Sequence, residues 1–277
     1  MSVLVWRDMP SLRDNLNVEW TRLLCGSVRE LYSSTYTAPS DAKTIIFIVE
    51  GRYALPPLLT QSVNENIAHG KRVVMVHLSD EDCVFPPENY PRGATIIRSY
   101  YHPKYDGLCL FVPLGYSNFF NDQVRVHPVR PLMWSFAGCV LMRPHRQHML
   151  SVFSRWSSSY EVHISSDCNS SDGLPRAEYR DMMSRSVFIP SSAGFTNAEC
   201  YRTWEALEAG CIPITCTTLG SLPHYYDQMA KACNLPPIPW PQLTTWEDVF
   251  SLDLTIPWKE KCDAWWKIAK EKAFSLV

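Results

Sequence analysis

Long hydrophobic runs are missing from this sequence. No stretch reaches the roughly 18 consecutive apolar residues that a membrane-spanning helix needs. Near the start, the apolar run Val3–Trp6 is interrupted by Arg7 and Asp8, so it is too short for a signal peptide or an anchor. We therefore expect a soluble, cytoplasmic protein with no membrane partner.

An excess of one charge is also lacking. The chain has 26 Lys and Arg residues against 28 Asp and Glu residues, which leaves a formal net charge of -2. A chain with this balance has no general attraction for polyanions, so a nucleic-acid partner is not expected. The 10 cysteines contain no CxxC pair, and we predict reduced, mostly buried thiols rather than disulfides.

The residues that are present have the composition of an ordinary globular protein, with 46% hydrophobic and 19% charged residues. In the first half, apolar runs predict strands and one periodic segment predicts a helix. The strands are expected at Thr44–Val49, Arg72–Leu78, Ala94–Tyr101 and Cys109–Leu114, and the helix at Pro57–Ala68. Strands that are nearly continuous in Val, Ile and Leu favour a mostly parallel sheet in an α/β fold.

The same alternation restarts after a Pro-rich connection, His127–Pro131, where we place the boundary between residues 1–128 and residues 129–277. In the second half, strands are expected at Leu132–Val140, Tyr160–Ser165, Ser186–Ile189 and Cys211–Cys216, with helices at Pro144–Trp156, Arg176–Arg185, Ala198–Ala209, Leu222–Cys233 and Trp258–Phe274. We therefore predict two consecutive α/β domains. In such domains, ligands bind near the carboxyl ends of the strands.

One segment of the second half combines features that suit an anion. Its strand leads into a loop of four small residues, Ser191, Ser192, Ala193 and Gly194. Thr196, with Glu199 three residues later, predicts a capping box at the start of the next helix. Backbone N–H groups and the positive end of that helix would then face a diphosphate.

Arg202 and Glu205 lie three residues apart on the same predicted helix, so they share a face. Together they would offer a cation to the phosphates and a carboxylate to two ribose hydroxyls. The alternative is an ordinary ion pair on the surface of an amphipathic helix.

The whole segment resembles the signature of the exostosin-like glycosyltransferases. The matching residues are Phe188, Pro190, Gly194, Arg202, Glu205, Ala206, Gly210, Ile212 and Pro213. The resemblance implies a GT-B fold, in which two Rossmann-like domains face a central cleft and the C-terminal helix packs back on the first domain. It also implies that this segment holds a UDP-sugar, with xylose as the first choice and galactose or glucuronate next.

A second stretch of the same half resembles the FAG loop of that family. It consists of Phe136, Ala137 and Gly138, followed by Arg143. The resemblance implies that Arg143 supplies positive charge to the diphosphate, with Arg146 as a substitute. The alternative is that both arginines merely lie at a helix start, where the helix dipole disfavours them.

Three shorter motifs in the first half resemble a subgroup of that family that includes ribitol xylosyltransferase and microbial or viral relatives. They are Val76–Glu81, Arg98–Tyr101 and Pro113–Tyr116. The resemblance covers residues 73–215 and implies that this half holds a carbohydrate acceptor.

Transfer with inversion needs a base for the acceptor hydroxyl, and a carboxylate at the end of a strand suits that role. Asp80 is the first choice and Glu81 the second, with Glu50, His77 and His102 behind them. We expect Glu50, Arg98, Tyr100 and His102 on the acceptor side. The alternative for Asp80 is that it caps a turn.

Two other functions stay open. Asp80 and Asp82 also form a DxD pattern, which would hold a divalent cation in a GT-A glycosyltransferase. The non-enzymatic alternative is a carbohydrate-binding or assembly protein that catalyses no transfer. Our main expectation is an inverting enzyme with no obligatory metal or other cofactor, because arginines and helix-start N–H groups can neutralise the leaving diphosphate.

Overall fold

The computed structural model describes residues 2–6, 18–49, 52–117, 120, 129–141, 143–167 and 171–277. Strands and helices alternate along these residues. The strands are β1 (Ser2–Trp6), β2 (Arg29–Tyr32), β3 (Thr44–Val49), β4 (Arg72–His77), β5 (Thr95–Arg98), β6 (Cys109–Phe111), β7 (Leu132–Cys139), β8 (Tyr160–Ser165), β9 (Ser186–Pro190), β10 (Ile212–Cys216) and β11 (Gln242–Leu243). The helices are α1 (Val18–Cys25), α2 (Pro57–Ala68), α3 (Pro144–Trp156), α4 (Arg176–Ser184), α5 (Tyr201–Glu208), α6 (Tyr225–Ala232) and α7 (Trp258–Phe274), with short 3-10 helices at Pro87–Asn89, Pro103–Tyr105 and Trp246–Ser251.

The chain divides into two compact units. The first contains Met1–Asn118, Gln228–Leu235 and Ala269–Val277, and the second contains Phe119–Asp227 and Pro236–Ile268. Each has its own parallel sheet, as the sequence predicted, and the two sheets are consistent with two Rossmann-like domains.

The first unit holds a six-stranded sheet in the order β2-β1-β3-β4-β5-β6. Every neighbouring pair in it is parallel, with β3 and β4 aligned from Thr44 opposite Arg72 to Val49 opposite His77. All residues of β3 from Ile45 to Val49 are buried, because helices and loops cover both faces of such a sheet. The last residues of the chain also pack in this unit, where the Phe274 ring lies 5.6 Å from the Trp20 ring.

Sequence analysis missed the start of this sheet. β1 lies between β2 and β3, and Val3–Trp6 are almost fully enclosed. The sequence of this short run indicates only that it is too short for an anchor. Its structural role depends on pairing with strands that begin 27 and 42 residues later, at Arg29 and Thr44, so no local pattern reveals it.

The second unit holds a five-stranded parallel sheet in the order β11-β10-β9-β7-β8. β7 lies between β8 and β9, so the residues that follow β7 and β9 leave the same edge of the sheet. This arrangement brings the loop after Cys139 close to the loop that begins at Ser191.

The helix after β9 begins later than predicted. α5 starts at Tyr201, with Cys200 in the N-cap position and no side-chain hydrogen bond at the cap. Instead of closing a capping box with Thr196, Glu199 is buried and accepts a hydrogen bond from the Tyr225 hydroxyl at 2.5 Å. The capping-box prediction was therefore wrong, and residues 191–200 form an extended loop.

None of the helices in the described ranges combines the length and apolar character needed to cross a membrane.

Candidate functional site

Four of the predicted donor residues, Arg143, Ser191, Ser192 and Gly194, follow the carboxyl ends of β7 and β9 in the second unit. The other two, Arg202 and Glu205, lie on α5. The predicted base and its neighbours lie at the carboxyl ends of β4 and β5 in the first unit. Glu50, the remaining predicted residue, lies outside the described residues.

The two serines of the loop after β9 point into the protein. The Ser191 hydroxyl lies 2.7 Å from the Thr203 hydroxyl, and the Ser191 N–H donates to the Ile214 carbonyl at 2.8 Å. Ser192 is fully buried and its hydroxyl accepts from Arg146 Nε at 3.1 Å. The two hydroxyls therefore anchor the loop to α5 and to α3, and a ligand would meet the backbone of this loop instead.

Arg146 joins the two strand ends. Besides Ser192, its guanidinium donates to the Cys139 carbonyl at 2.8 Å and to the Ala193 carbonyl at 3.0 Å. Sequence analysis named Arg146 as a substitute for Arg143 at the phosphates. The geometry gives it a framework role, because three of its donors are already used to fix the loop.

Arg143 contacts the same loop and is itself only 8% exposed. It is the N-cap residue of α3, its Nη1 donates to the Gly194 carbonyl at 2.8 Å, and its guanidinium lies 3.9 Å from the centre of the Phe195 ring. The ring is 70% exposed, so this cation–π contact is close to solvent. Within the described ranges, Arg143 forms no ion pair with a carboxylate.

Arg202 reaches back to the end of β7. Its Nη2 donates to the Ala137 carbonyl at 2.9 Å, and its guanidinium lies 4.5 Å from the centre of the Phe136 ring. Its Nε is buried and has no hydrogen-bond partner among the described residues. A buried guanidinium N–H without a partner is costly unless a ligand satisfies it.

Gly138 makes this close approach possible. Its φ is +144°, and a Cβ added there would lie 2.8 Å from Arg202 Nη2. Any other residue would clash with the arginine and strain the backbone. The glycine of the FAG stretch thus holds the position of Arg202.

Glu205 is buried, with 4% exposure, and its Oε2 accepts a hydrogen bond from the Tyr179 hydroxyl at 2.8 Å. Burial first, and then the charge of Glu205, raises the pKa of Tyr179 well above its usual value, so the hydroxyl stays protonated and continues to donate. The expected alternative, a surface ion pair between Arg202 and Glu205, is wrong: Glu205 is not on the surface, and the described residues contain no ion pair between the two.

Three arginines surround the loop. Arg143, Arg146 and Arg202 all donate to backbone carbonyls of the loop or of β7. His145 lies between the first two in sequence, and burial, followed by the charges of Arg146 and Arg143, lowers its pKa. The imidazole is therefore held neutral while the guanidinium groups stay charged, and the local field favours an anion.

In the first unit, Asp80 is enclosed by protein. Its Oδ1 accepts from the Val84 N–H at 3.0 Å, and its Oδ2 accepts from the Phe85 N–H at 3.1 Å. Oδ2 also accepts from Arg98 Nη2 at 2.9 Å and from the Tyr105 hydroxyl at 3.1 Å. Burial raises its pKa, but the hydrogen bond and charge of Arg98, with the two backbone N–H groups, outweigh burial and leave the pKa below its usual value.

These contacts do not suit the role expected of Asp80. A base must reach the acceptor hydroxyl, whereas Asp80 is 0% exposed and its carboxylate holds the turn from Val84 to Phe85. The turn-capping alternative describes it better. Arg98 is equally enclosed, so it holds Asp80 rather than contacting an acceptor directly.

The alternative hypothesis, in which Asp80 and Asp82 hold a divalent cation, also fits the structure poorly. Asp82 lies 3.1 Å from Arg52 in a partly exposed ion pair, while Asp80 is paired inward with Arg98. A metal ion would have to compete with an arginine for each carboxylate. In the parts of the chain that the structure describes, no three His, Cys, Asp or Glu side chains are grouped as a metal site would require.

The remaining predicted residues of the first unit differ in accessibility. Tyr100 is buried with φ +56°, and its carbonyl accepts from the Cys83 thiol at 3.3 Å. His102 is part-buried, its Nδ1 accepts from the Lys104 N–H, and burial lowers its pKa. Glu81 is part-exposed beside Asp80, at the carboxyl end of β4.

Sequence reasoning missed the partners that fix these groups. Tyr179 comes from α4, and Tyr105 comes from a 3-10 helix 25 residues beyond Asp80. Neither lies in a recognisable motif. Phe195, the ring partner of Arg143, follows Gly194 directly. Its position next to the small-residue loop is the one sequence feature that could have indicated this contact.

No family model matches this chain, and no curated protein matches it.

Proposed function

We propose that this protein is a glycosyltransferase that transfers a sugar from a UDP-sugar, with xylose as the first choice, to a carbohydrate acceptor. The observation that carries the proposal is the cluster at the ends of β7 and β9, where Arg143 and Arg202 keep their charge next to a loop fixed by Arg146. A diphosphate would accept charge-assisted hydrogen bonds from these two arginines.

Glu205 completes the donor site in this proposal. A carboxylate has about four lone-pair positions, so it can accept from a ribose hydroxyl as well as from Tyr179. Tyr179 holds the carboxylate in one orientation, which lowers the entropic cost of binding. The nearby Arg202 Nε supplies a donor for a phosphate oxygen.

The catalytic base is assigned to Glu81 rather than to Asp80. Glu81 lies at the same strand end but is part-exposed, and Asp80 fixes the turn behind it. Inversion at the anomeric carbon and the absence of an obligatory metal remain part of the proposal, because the arginines can stabilise the leaving diphosphate. The GT-B arrangement of the two domains, with Ala269–Val277 as the returning segment, also belongs to it.

Thermal stabilisation by nucleotides tests the donor assignment. The probes are UDP, UDP-xylose, UDP-galactose, UDP-glucuronate and GDP-mannose. A ligand at about a hundred times its Kd should stabilise the fold by roughly 2.7 kcal/mol. Arg202→Ala should abolish the effect, whereas the matched change Arg155→Ala, at an exposed position near the end of α3, should preserve it.

Turnover tests the remaining claims. Transfer or hydrolysis of the bound UDP-sugar should release the inverted anomer and should persist in EDTA. Binding without any turnover would support the non-enzymatic reading, and stabilisation by GDP-mannose alone would refute the uridine assignment. Activity that disappears in EDTA and returns with manganese would exclude the metal-free mechanism.

A further inference from the structure

A groove in the first unit lies beside the outer face of α2 and has a volume of about 580 Å³. One wall is α2 itself, where Leu58, Gln61, Ser62, Glu65 and Asn66 repeat at helical spacing. The other wall is the loop between β2 and β3. The volume lies within the range of about 300 to 1,000 Å³ that is usual for small-molecule sites.

This groove is separate from the strand ends described above. Ser40 and Lys71, which both line it, come shortly before β3 and directly before β4. They therefore lie toward the amino-terminal edge of the sheet, whereas Asp80 and Glu81 follow the carboxyl end of β4. A ligand here would be additional to one at the carboxyl ends.

The polar side chains of α2 are already held in place. Gln61 Nε2 donates to Glu65 Oε1 at 2.8 Å, and Asn66 Nδ2 donates to the Ser62 carbonyl at 2.7 Å. The Ser62 hydroxyl in turn donates to the Tyr36 carbonyl at 2.8 Å, which ties the helix to the opposite wall. These bonds use donors of the two amides, and a side-chain amide oxygen can accept a further hydrogen bond.

The loop wall contributes hydroxyl groups. Thr35 and Thr37 lie with their hydroxyl oxygens 2.7 Å apart, and Lys71 Nζ donates to the Pro39 carbonyl at 3.1 Å. The ammonium of Lys71 offsets the carboxylate of Glu65, so the lining has little net charge. A phosphate or a nucleic acid would gain little from such a lining.

We propose that this groove binds an uncharged oligosaccharide. A sugar hydroxyl both donates and accepts, and the hydroxyl and amide groups of the two walls match it in both roles. Leu58, which is 50% exposed, offers an apolar surface to the C–H face of a sugar ring. Among the described lining residues there is no Phe, Tyr or Trp ring, so we expect weak binding, with a Kd on the order of 1 mM.

Side-chain amide signals of the ¹⁵N-labelled full chain provide the test. Xylohexaose, maltohexaose and mannohexaose are titrated separately, and at least one should shift the amide signals of Gln61 and Asn66. In the double variant Gln61→Ala/Asn66→Ala, which is followed through the backbone amide signals of α2, the affinity for that oligosaccharide should fall by about tenfold, which is about 1.4 kcal/mol. Asn64→Ala, on the same helix but outside the groove, should bind like the unchanged protein.

The proposal is overturned if none of the three oligosaccharides shifts these signals, or if the double variant binds as well as the unchanged protein. Shifts caused by hexaglycine and by no sugar would assign the groove to peptide and would equally overturn it. UDP titrated into the same sample reports on the second unit. Its binding or failure to bind therefore tests the proposed function separately.

Discussion

Asp80 Oδ2 lies 2.9 Å from Arg98 Nη2, and neither side chain reaches solvent. Two charges enclosed in this way depend on each other, because each would otherwise be buried without compensation. Tyr105 contributes through its hydroxyl to Asp80 and through its ring, whose centre lies 3.8 Å from the Arg98 guanidinium. The pair thus organises the turn after β4.

Removing Asp80 should therefore affect folding before it affects chemistry. We expect Asp80→Ala to lower the free energy of unfolding by about 3 to 5 kcal/mol, since it leaves Arg98 buried without its counter-charge. Urea denaturation measures this change. Asp82→Ala is the control and should cost less than about 1 kcal/mol, because its pair with Arg52 is partly exposed to solvent. Equal effects of the two changes would contradict the structural role of Asp80.

The Gly138→Ala variant should distinguish an effect on UDP binding from an effect on stability. The added Cβ would lie 2.8 Å from Arg202 Nη2, so the arginine must move away from Ala137. We expect the Kd for UDP to rise by about tenfold or more, as measured by calorimetry. Gly107→Ala is the matched control, because Gly107 also has a positive φ but meets no atom within 4 Å.

Both glycine variants should lose stability to backbone strain, by about 1 to 3 kcal/mol. Only Gly138→Ala should lose affinity for UDP. If Gly107→Ala weakens the binding of UDP to the same extent, the loss of affinity comes from general destabilisation, and Gly138 has no special relation to Arg202.

Much of the fold could be predicted because its signals are local. α2 and α3 each begin with a proline in the first turn, and their predicted bounds are those of the structure. β3 is a continuous apolar run with polar flanks, and its bounds were also predicted correctly. β1 was missed because its five residues become recognisable as a central strand only through distant parallel partners.

The candidate site was less predictable for the same reason. An acidic residue at a strand end has the same local sequence whether it faces solvent or turns inward. Asp80 turns inward because Arg98, 18 residues later, lies on the neighbouring strand. Likewise, the Glu205 carboxylate is fixed by Tyr179 from another helix, which no spacing on α5 could indicate.

Tyr179→Phe tests that fixation without removing the carboxylate. The ring is retained and the hydrogen bond to Glu205 is lost, so we expect a loss of about 1 to 3 kcal/mol in unfolding free energy and weaker binding of UDP. Tyr160→Phe is the control, because the exposed Tyr160 ring stacks on Trp134 at 4.6 Å and this contact does not need the hydroxyl.

A double-mutant cycle with Glu205→Gln assigns the effect to the pair. The coupling energy between Tyr179→Phe and Glu205→Gln should be about 0.5 to 3 kcal/mol. Additive changes would show that the hydroxyl and the carboxylate act independently.

His145, which lies beside the arginine cluster, should make the free energy of unfolding depend on pH. Burial, followed by the charges of Arg146 and Arg143, lowers its pKa in the folded protein, and a hydrogen bond with the Ala193 backbone opposes this only in part. The unfolded chain, with a pKa near about 6.5, then binds more protons than the folded chain as the pH falls below that value. The contribution of His145 to the unfolding free energy is therefore fully present above about pH 6.5. It decreases as the pH falls toward the lowered pKa of the folded protein.

His145→Gln removes this contribution and leaves the other histidines as a common background. We expect the unfolding free energy of the unchanged protein, minus that of the variant, to decrease as the pH is lowered from about 7.5 to about 5. Urea unfolding across that range measures the difference, and NMR titration of the His145 ring locates the pKa directly. Because the charges of Arg146 and Arg143, as well as burial, lower this pKa, UDP bound at the cluster should move it back upward. A difference that is flat with pH, or a ring that titrates identically with and without UDP, would show that His145 does not sense these arginines.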